Sequence, residues 1–322
     1  MNLYPLKFYP ILKERLWGGT KLGTLLGKEL ESDLVGESWE LSGVAGDVSI
    51  VANGSFTGTP LTDLINRYPV EILGKSVLER FGKEFPILIK FIDAQKDLSI
   101  QLHPNDELAR KRHNSFGKTE MWYVMNADKD AELIIGFKED ITKEIYVESL
   151  KNNTLTDLLN FEKVSEGDTY FISAGKIHAI GAGVLIAEIQ QTSDQTYRVY
   201  DYNRKDALGN LRELHTELSI DAIGYNKQDD FKVSYEQETN VSNTMVNCPY
   251  FKTNFISINK NIQIDVSDRD SFTIFMCIDG DVLIENDFGS ILIKKGETVL
   301  VPAITGHILL SSERAKLLEI TI

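Results

Sequence analysis

The sequence predicts a mainly β protein: two similar jelly-roll barrels with a few helices attached outside. Three observations carry this. Short runs rich in Ile, Val, Phe and Tyr, punctuated by Gly, Asp and Asn, dominate the 322 residues. Helical periodicity is confined to a few stretches, which suits antiparallel strands with helices off to one side. The chain also repeats itself. Gly167-Asp168 opens a strand that ends at Ser173, with His178 five residues on. Gly296-Glu297 opens another that ends at Pro302, followed by His307. All three anchors are offset by 129 residues. A repeat of this kind implies two related β units.

The elements follow in order. The first helical pattern covers 61–81. A strand is expected at 87–92, and a second over 98–104, where Leu98, Ile100 and Leu102 alternate with Ser99, Gln101 and His103. Pro104 ends it. A helix over 105–113 starts at a cap, Asn105 or Asp106. Strands follow at 121–125 and 132–136, a helix at 143–160, and strands at 169–172 and 184–191. A helix at 216–224 precedes the polar stretch 224–242, which includes Gln228-Asp229-Asp230. The boundary between units falls there, giving a first domain of 1–235 and a second of 236–322. The second begins its strands at 272–278 and 297–302.

Composition narrows the function. The formal net charge is -14, which argues against nucleic-acid binding. A small anionic substrate remains compatible if a few Lys or Arg are placed locally. The two cysteines, Cys248 and Cys277, lack metal-binding spacing. No run approaches the roughly 18 apolar residues of a membrane span, and residues 1–17 do not read as a signal peptide. A soluble, cytoplasmic protein with a small-molecule substrate and no membrane partner is expected; oligomeric state is left open.

The chemistry concentrates on polar strand faces. Alternate strand residues lie about 7 Å apart on one face, so Gln101 and His103 can present an oxygen and a nitrogen to one ion. Glu120 heads an otherwise apolar strand. His178 closes the first repeat's strand and turn. Gln101, His103, Glu120 and His178 thus form a candidate two-nitrogen, two-oxygen site that suits zinc, and also Fe(II), Mn or Co. Single histidines of this kind are ordinarily structural, so the set matters more than any member. His307 is an internal control: the strand at 272–278 is apolar where a ligand would be needed, so the second domain should hold no metal. His113 and His215 read as surface or helix residues. Lys118 shares a face with Glu120, and Arg198 starts a strand as a candidate for anion or hydroxyl recognition. Trp17-Gly18-Gly19 and the 36–40 segment read as core aromatics with turn glycines.

Several blocks together resemble the type I mannose-6-phosphate isomerases, over about residues 5–320. They are Leu98-Ser99-Ile100-Gln101-Leu102-His103-Pro104-Asn105, Lys118-Thr119-Glu120-Met121, Gly175-Lys176-Ile177-His178-Ala179, Thr192-Ser193-Asp194 with Arg198, and Trp17-Gly18-Gly19. The resemblance implies two cupin barrels and a zinc-dependent aldose-ketose isomerase, with one ion per chain, interconverting mannose 6-phosphate and fructose 6-phosphate through a cis-enediolate. It implies Gln101, His103, Glu120 and His178 as zinc ligands, Arg198 as the catalytic arginine, and Ser99 and Lys118 in the sugar-phosphate pocket, Lys118 with a further catalytic role. The base is left open between Lys118, Glu120 and a solvent molecule at the metal. The spacing between Glu120 and His178 resembles the family's short form. Many long-form members carry a histidine just before the pocket lysine; here that residue is Gly117, so no role of that histidine carries over. Two other classes fit the same residues: another metal-dependent cupin enzyme, such as an Fe(II) oxygenase or a free-sugar isomerase, and a sugar-binding cupin without catalysis.

Overall fold

The computed structural model describes residues 3–205, 208–228 and 232–322. Asp229 and Asp230, in the polar stretch expected between the units, lie outside the described residues. The protein is mainly β. Two antiparallel sheets form the first barrel. One has six strands in the order Ile11–Gly19, Val35–Leu41, Ile87–Ala94, Val184–Gln191, Glu120–Ala127 and Thr169–Ile172. The other has five, in the order Tyr197–Tyr200, Ile100–Leu102, His178–Ile180, Glu132–Phe137 and Leu159–Lys163. A nine-stranded sheet, built mostly from residues after Ser242, forms the second barrel. Its edge includes Leu6–Lys7, paired with Thr298–Val301, so the start of the chain is built into the second unit. Among the described residues no helix is long and apolar enough to cross a membrane.

Strand alternation explains the layers. On Glu120–Ala127, Trp122 and Val124 point into the first barrel, while Met121, Tyr123 and Met125 join a larger core. That larger core takes in Leu61, Leu64, Ile72, Phe272 and Ile320 and so cements the helices and the second barrel to the first. The same parity puts Ile92 and Ala94 inside, with Ile89 and Phe91 outside. A strand covered on both faces must be apolar on both, except where the interior is a site.

Several elements differ from expectation for local reasons. The pattern over 61–81 is three helices, Leu61–Arg67, Pro69–Leu73 and Lys75–Phe81. Pro69 disfavours helical backbone at Tyr68, which sits at φ -138°, and Gly74 turns the chain at φ +90°. The expected helix over 143–160 stops at Asn152 because Asn153 takes the left-handed conformation at φ +56°. The chain then forms the strand Leu159–Lys163. Only Ile100–Leu102 of 98–104 is regular strand. The helix expected over 216–224 is shorter, Thr216–Ile220. The strand starting near 272 continues to Asn286.

Candidate functional site

A cavity of about 400 Å³ opens between the two sheets of the first barrel. The five-stranded sheet supplies a row across three neighbouring strands: Arg198 pairs in register with Gln101, and Gln101 with His178. All three line the cavity, as does Ser99, whose Oγ donates to Gln101 Oε1 at 3.4 Å. The six-stranded sheet faces this row with Lys90, Trp122 and Glu188. Lys118, just before the strand Glu120–Ala127, lines the cavity too.

His103, Glu120 and His178 converge, with one ligand atom from each lying within 4.8 Å of the others. The backbone sets their roles. His103 donates from Nδ1 to the Gln195 carbonyl at 2.9 Å, and His178 from Nδ1 to the Lys176 carbonyl at 2.8 Å. Both therefore aim Nε2 inward: His103 Nε2 is 3.5 Å from Glu120 Oε2, and His178 Nε2 is 3.5 Å from Glu120 Oε1. His178 Nε2 and Glu120 Oε1 are buried and have no hydrogen-bond partner. Buried polar atoms are normally satisfied. Two facing acceptors left bare in the interior fit a cation between them. Burial, with the nearby Lys118, holds the His103 imidazole well below its ordinary range, and burial pushes His178 to about 3. Neutral imidazole is the form that binds metals. The donor set, two imidazoles and a carboxylate with the Gln101 amide on the next strand, suits a borderline divalent ion.

The cavity's charges are largely matched in pairs. Lys118 Nζ donates to Glu120 at 2.5 Å. Burial alone would lower the lysine, but Glu120, Glu188 and Glu37 outweigh it and hold it charged. Lys90 pairs with Glu188 at 3.1 Å, and Trp122 Nε1 donates to the same carboxylate at 3.1 Å. Burial works to raise Glu188, but Lys118 and Lys90 hold it down to about 2. Arg15 and Trp39 both donate to Glu37, at 2.8 and 2.6 Å. Arg198 differs. It forms no ion pair among the described residues; its NH1 donates to the Glu213 carbonyl at 2.9 Å, and its buried Nε has no partner.

The structure brings Gln101, His103, Glu120, His178, Lys118, Ser99 and Arg198 to one place, and sets His307 apart on the second barrel with its side chain half exposed. Trp17 and Trp39 are buried core aromatics as expected, and with Glu37 they also line the cavity. Gly36 is no turn glycine: it lies inside the strand Val35–Leu41, where a Cβ would meet the Trp17 ring at 2.5 Å. Arg15, Lys90 and Arg212 are cavity residues that sequence reasoning passed over, and Glu37 and Glu188 are cavity residues to which it gave no role. Lys90 carried a usable signal, a lysine in the midst of an apolar strand. His215 is no idle surface residue either, since its Nδ1 accepts from the Arg198 backbone N–H at 3.2 Å.

Known proteins resemble this chain throughout. Residues 6–142 match the model for the catalytic domain of phosphomannose isomerase type I, and residues 241–321 that for the cupin domain of mannose-6-phosphate isomerase. The chain is 37% identical to mannose-6-phosphate isomerase ManA of Bacillus subtilis over 305 residues, 94% of each chain. It is also 37% identical to a mannose-6-phosphate isomerase of Streptococcus mutans, over 77% of each. The crystal structure of the mannose 6-phosphate isomerase from Bacillus subtilis superposes with a TM-score of 0.90 at 32% identity, covering 99% of this chain and all of that one.

Proposed function

Because the chain belongs to the type I phosphomannose isomerase family of enzymes, we propose that its first barrel interconverts mannose 6-phosphate and fructose 6-phosphate with one bound zinc ion. His103, Glu120 and His178, with Gln101, would hold the zinc. The observation that carries this reading is the bare, buried facing of His178 Nε2 and Glu120 Oε1 in a cavity that also holds Arg198, an arginine with no ion pair among the described residues. When bound, such an ion polarises the sugar's carbonyl and so acidifies the C2 proton.

The chain's own side chains account for the rest. Isomerisation moves one proton from C2 to C1 of the open-chain sugar and one from O2 to O1, by way of a cis-enediolate. Lys118, held by its ion pair to the ligand Glu120, is the proton-carrying group of the site. Arg198 lies beside Gln101 in the register row and supplies the cation for the anionic enediolate. Strands about 4.8 Å apart place the backbones of His178 and Arg198 about 10 Å from one another across that row, a span suited to a hexose phosphate. Ser99 and Lys118 are assigned to substrate binding. The catalytic unit is 1–235, apart from Leu6–Lys7, which pairs into the second barrel, and 236–322 is a metal-free cupin unit. A cytoplasmic location accords with two free cysteines, Cys248 and Cys277.

An Fe(II) oxygenase would also use two histidines and a carboxylate; Gln101 and the cavity cations favour the phosphosugar. The test is a coupled assay for fructose 6-phosphate formed from mannose 6-phosphate, with and without EDTA. Chelator-sensitive turnover restored by zinc supports the proposal, and absence of turnover in zinc-loaded protein contradicts it.

A further inference from the structure

Arg198 sits on Tyr197–Tyr200, the edge strand of the five-stranded sheet. An edge strand turns part of its N–H and C=O groups away from the sheet, where they need other partners. For Arg198 both go to one residue. The His215 backbone N–H donates to the Arg198 carbonyl at 2.7 Å, and the Arg198 N–H donates to His215 Nδ1 at 3.2 Å. The same segment holds the side chain, because Arg198 NH1 donates to the Glu213 carbonyl at 2.9 Å. Arg212, three residues before His215, lines the cavity itself. The Tyr197 ring lies 6.3 Å from the His215 ring and 5.7 Å from that of His113, whose Nε2 meets the Tyr197 hydroxyl at 2.8 Å, so the clamp is backed by packed rings.

We propose that His215 is a positioning residue for Arg198: its imidazole and backbone act as a one-residue extension of the sheet that fixes where the guanidinium enters the cavity. The inference rests on the proposed role of Arg198 at the enediolate. The clamp needs neutral His215 with its proton on Nε2, since a protonated Nδ1 cannot accept. Burial and the neighbouring Arg198 lower this imidazole, Glu213 opposes them, and His113 adds to the lowering, so the accepting form prevails at neutral pH.

The test compares His215→Phe with the unmodified zinc-loaded enzyme, alone and combined with Arg198→Lys. Loss of one positioning hydrogen bond should lower kcat about 10-fold while zinc content stays at the wild-type level. In the Arg198→Lys background His215→Phe should cost little more, because the group it positions is already altered. Equal losses in both backgrounds, or kcat within twofold of wild type for His215→Phe alone, would overturn the proposal. A second readout needs no activity: hydrogen exchange of the Arg198 amide should speed up in His215→Phe but not in Glu217→Gln, and unchanged exchange would also overturn it. Absence of turnover in the unmodified enzyme would fall on the proposed reaction, and the exchange measurement would still decide the clamp.

Discussion

His178 and His307 occupy the same place in two copies of one structural unit, yet among the described residues only His178 belongs to a cluster that could hold a metal ion. Each follows a glycine turn of positive φ, Gly167 at +91° and Gly296 at +85°, and each opens a strand. The register extends the match. Glu120 pairs with Ile172, and Thr273 pairs with Val301, 129 residues further on, so threonine stands in the second barrel where the first has its carboxylate. Trp122 pairs with Glu188, and Phe275 with Glu319. Lys90 pairs with Glu188, and Asn254 with Glu319. The buried acid has thus been kept in both barrels. In the first it faces a cavity, matched to Lys90. In the second it is closed over by donors: Asn254 at 2.9 Å, Ser242 at 2.5 Å and Arg269 at 2.6 Å. Side-chain exposure completes the contrast, 0% for His178 and Glu120 against 51% for His307 and 67% for its partner Asp265. The barrel provides a place for polar groups; a few side chains at one end decide whether the place becomes a site.

Substitutions can break this comparison. The largest effect is expected for His178→Ala, which should lose zinc and about 1000-fold or more in kcat, the worth of a Lewis acid at the carbonyl. His307→Ala should stay within twofold of wild type in the same assay. Arg198→Ala comes next. It should retain zinc and fold but lose about 100- to 1000-fold in kcat, the usual effect of removing one group that stabilises developing negative charge. Retained turnover would remove Arg198 from the reaction. Third, the cavity should prefer mannose 6-phosphate to mannose by at least about 100-fold in kcat/KM, since charge-assisted contacts to the phosphate are worth about 1.5–3 kcal/mol each. Comparable values for the two sugars would point to a free-sugar isomerase. The smallest effect belongs to the second barrel. Glu319→Ala should cost about 2 kcal/mol of stability, less than a fully buried pair because Arg269 is partly exposed, and should leave kcat unchanged. Thermal melting and the coupled assay together check this.

Much of the site was legible because its residues break local patterns. Glu120 opens an apolar strand, Gln101 and His103 alternate with leucine and isoleucine, and the 129-residue offset pairs His178 with His307. The barrels were legible from strand length and turn glycines. What stayed hidden depended on pairing between distant strands. Glu37, Lys90 and Glu188 look like isolated charges until the six-stranded sheet sets Glu188 beside Lys90. His215 becomes meaningful only when its segment folds against the edge strand carrying Arg198. Helix ends at Tyr68 and Asn153 are decided by backbone geometry that periodicity does not encode.

The central claim is that one barrel of the two is a metal site. Elemental analysis of zinc-loaded, desalted protein tests it most directly, run in parallel on wild type, His178→Ala and His307→Ala. The account predicts one zinc per chain in wild type and in His307→Ala, and essentially none in His178→Ala. Zinc retained at one per chain in His178→Ala, or lost in His307→Ala, would contradict it.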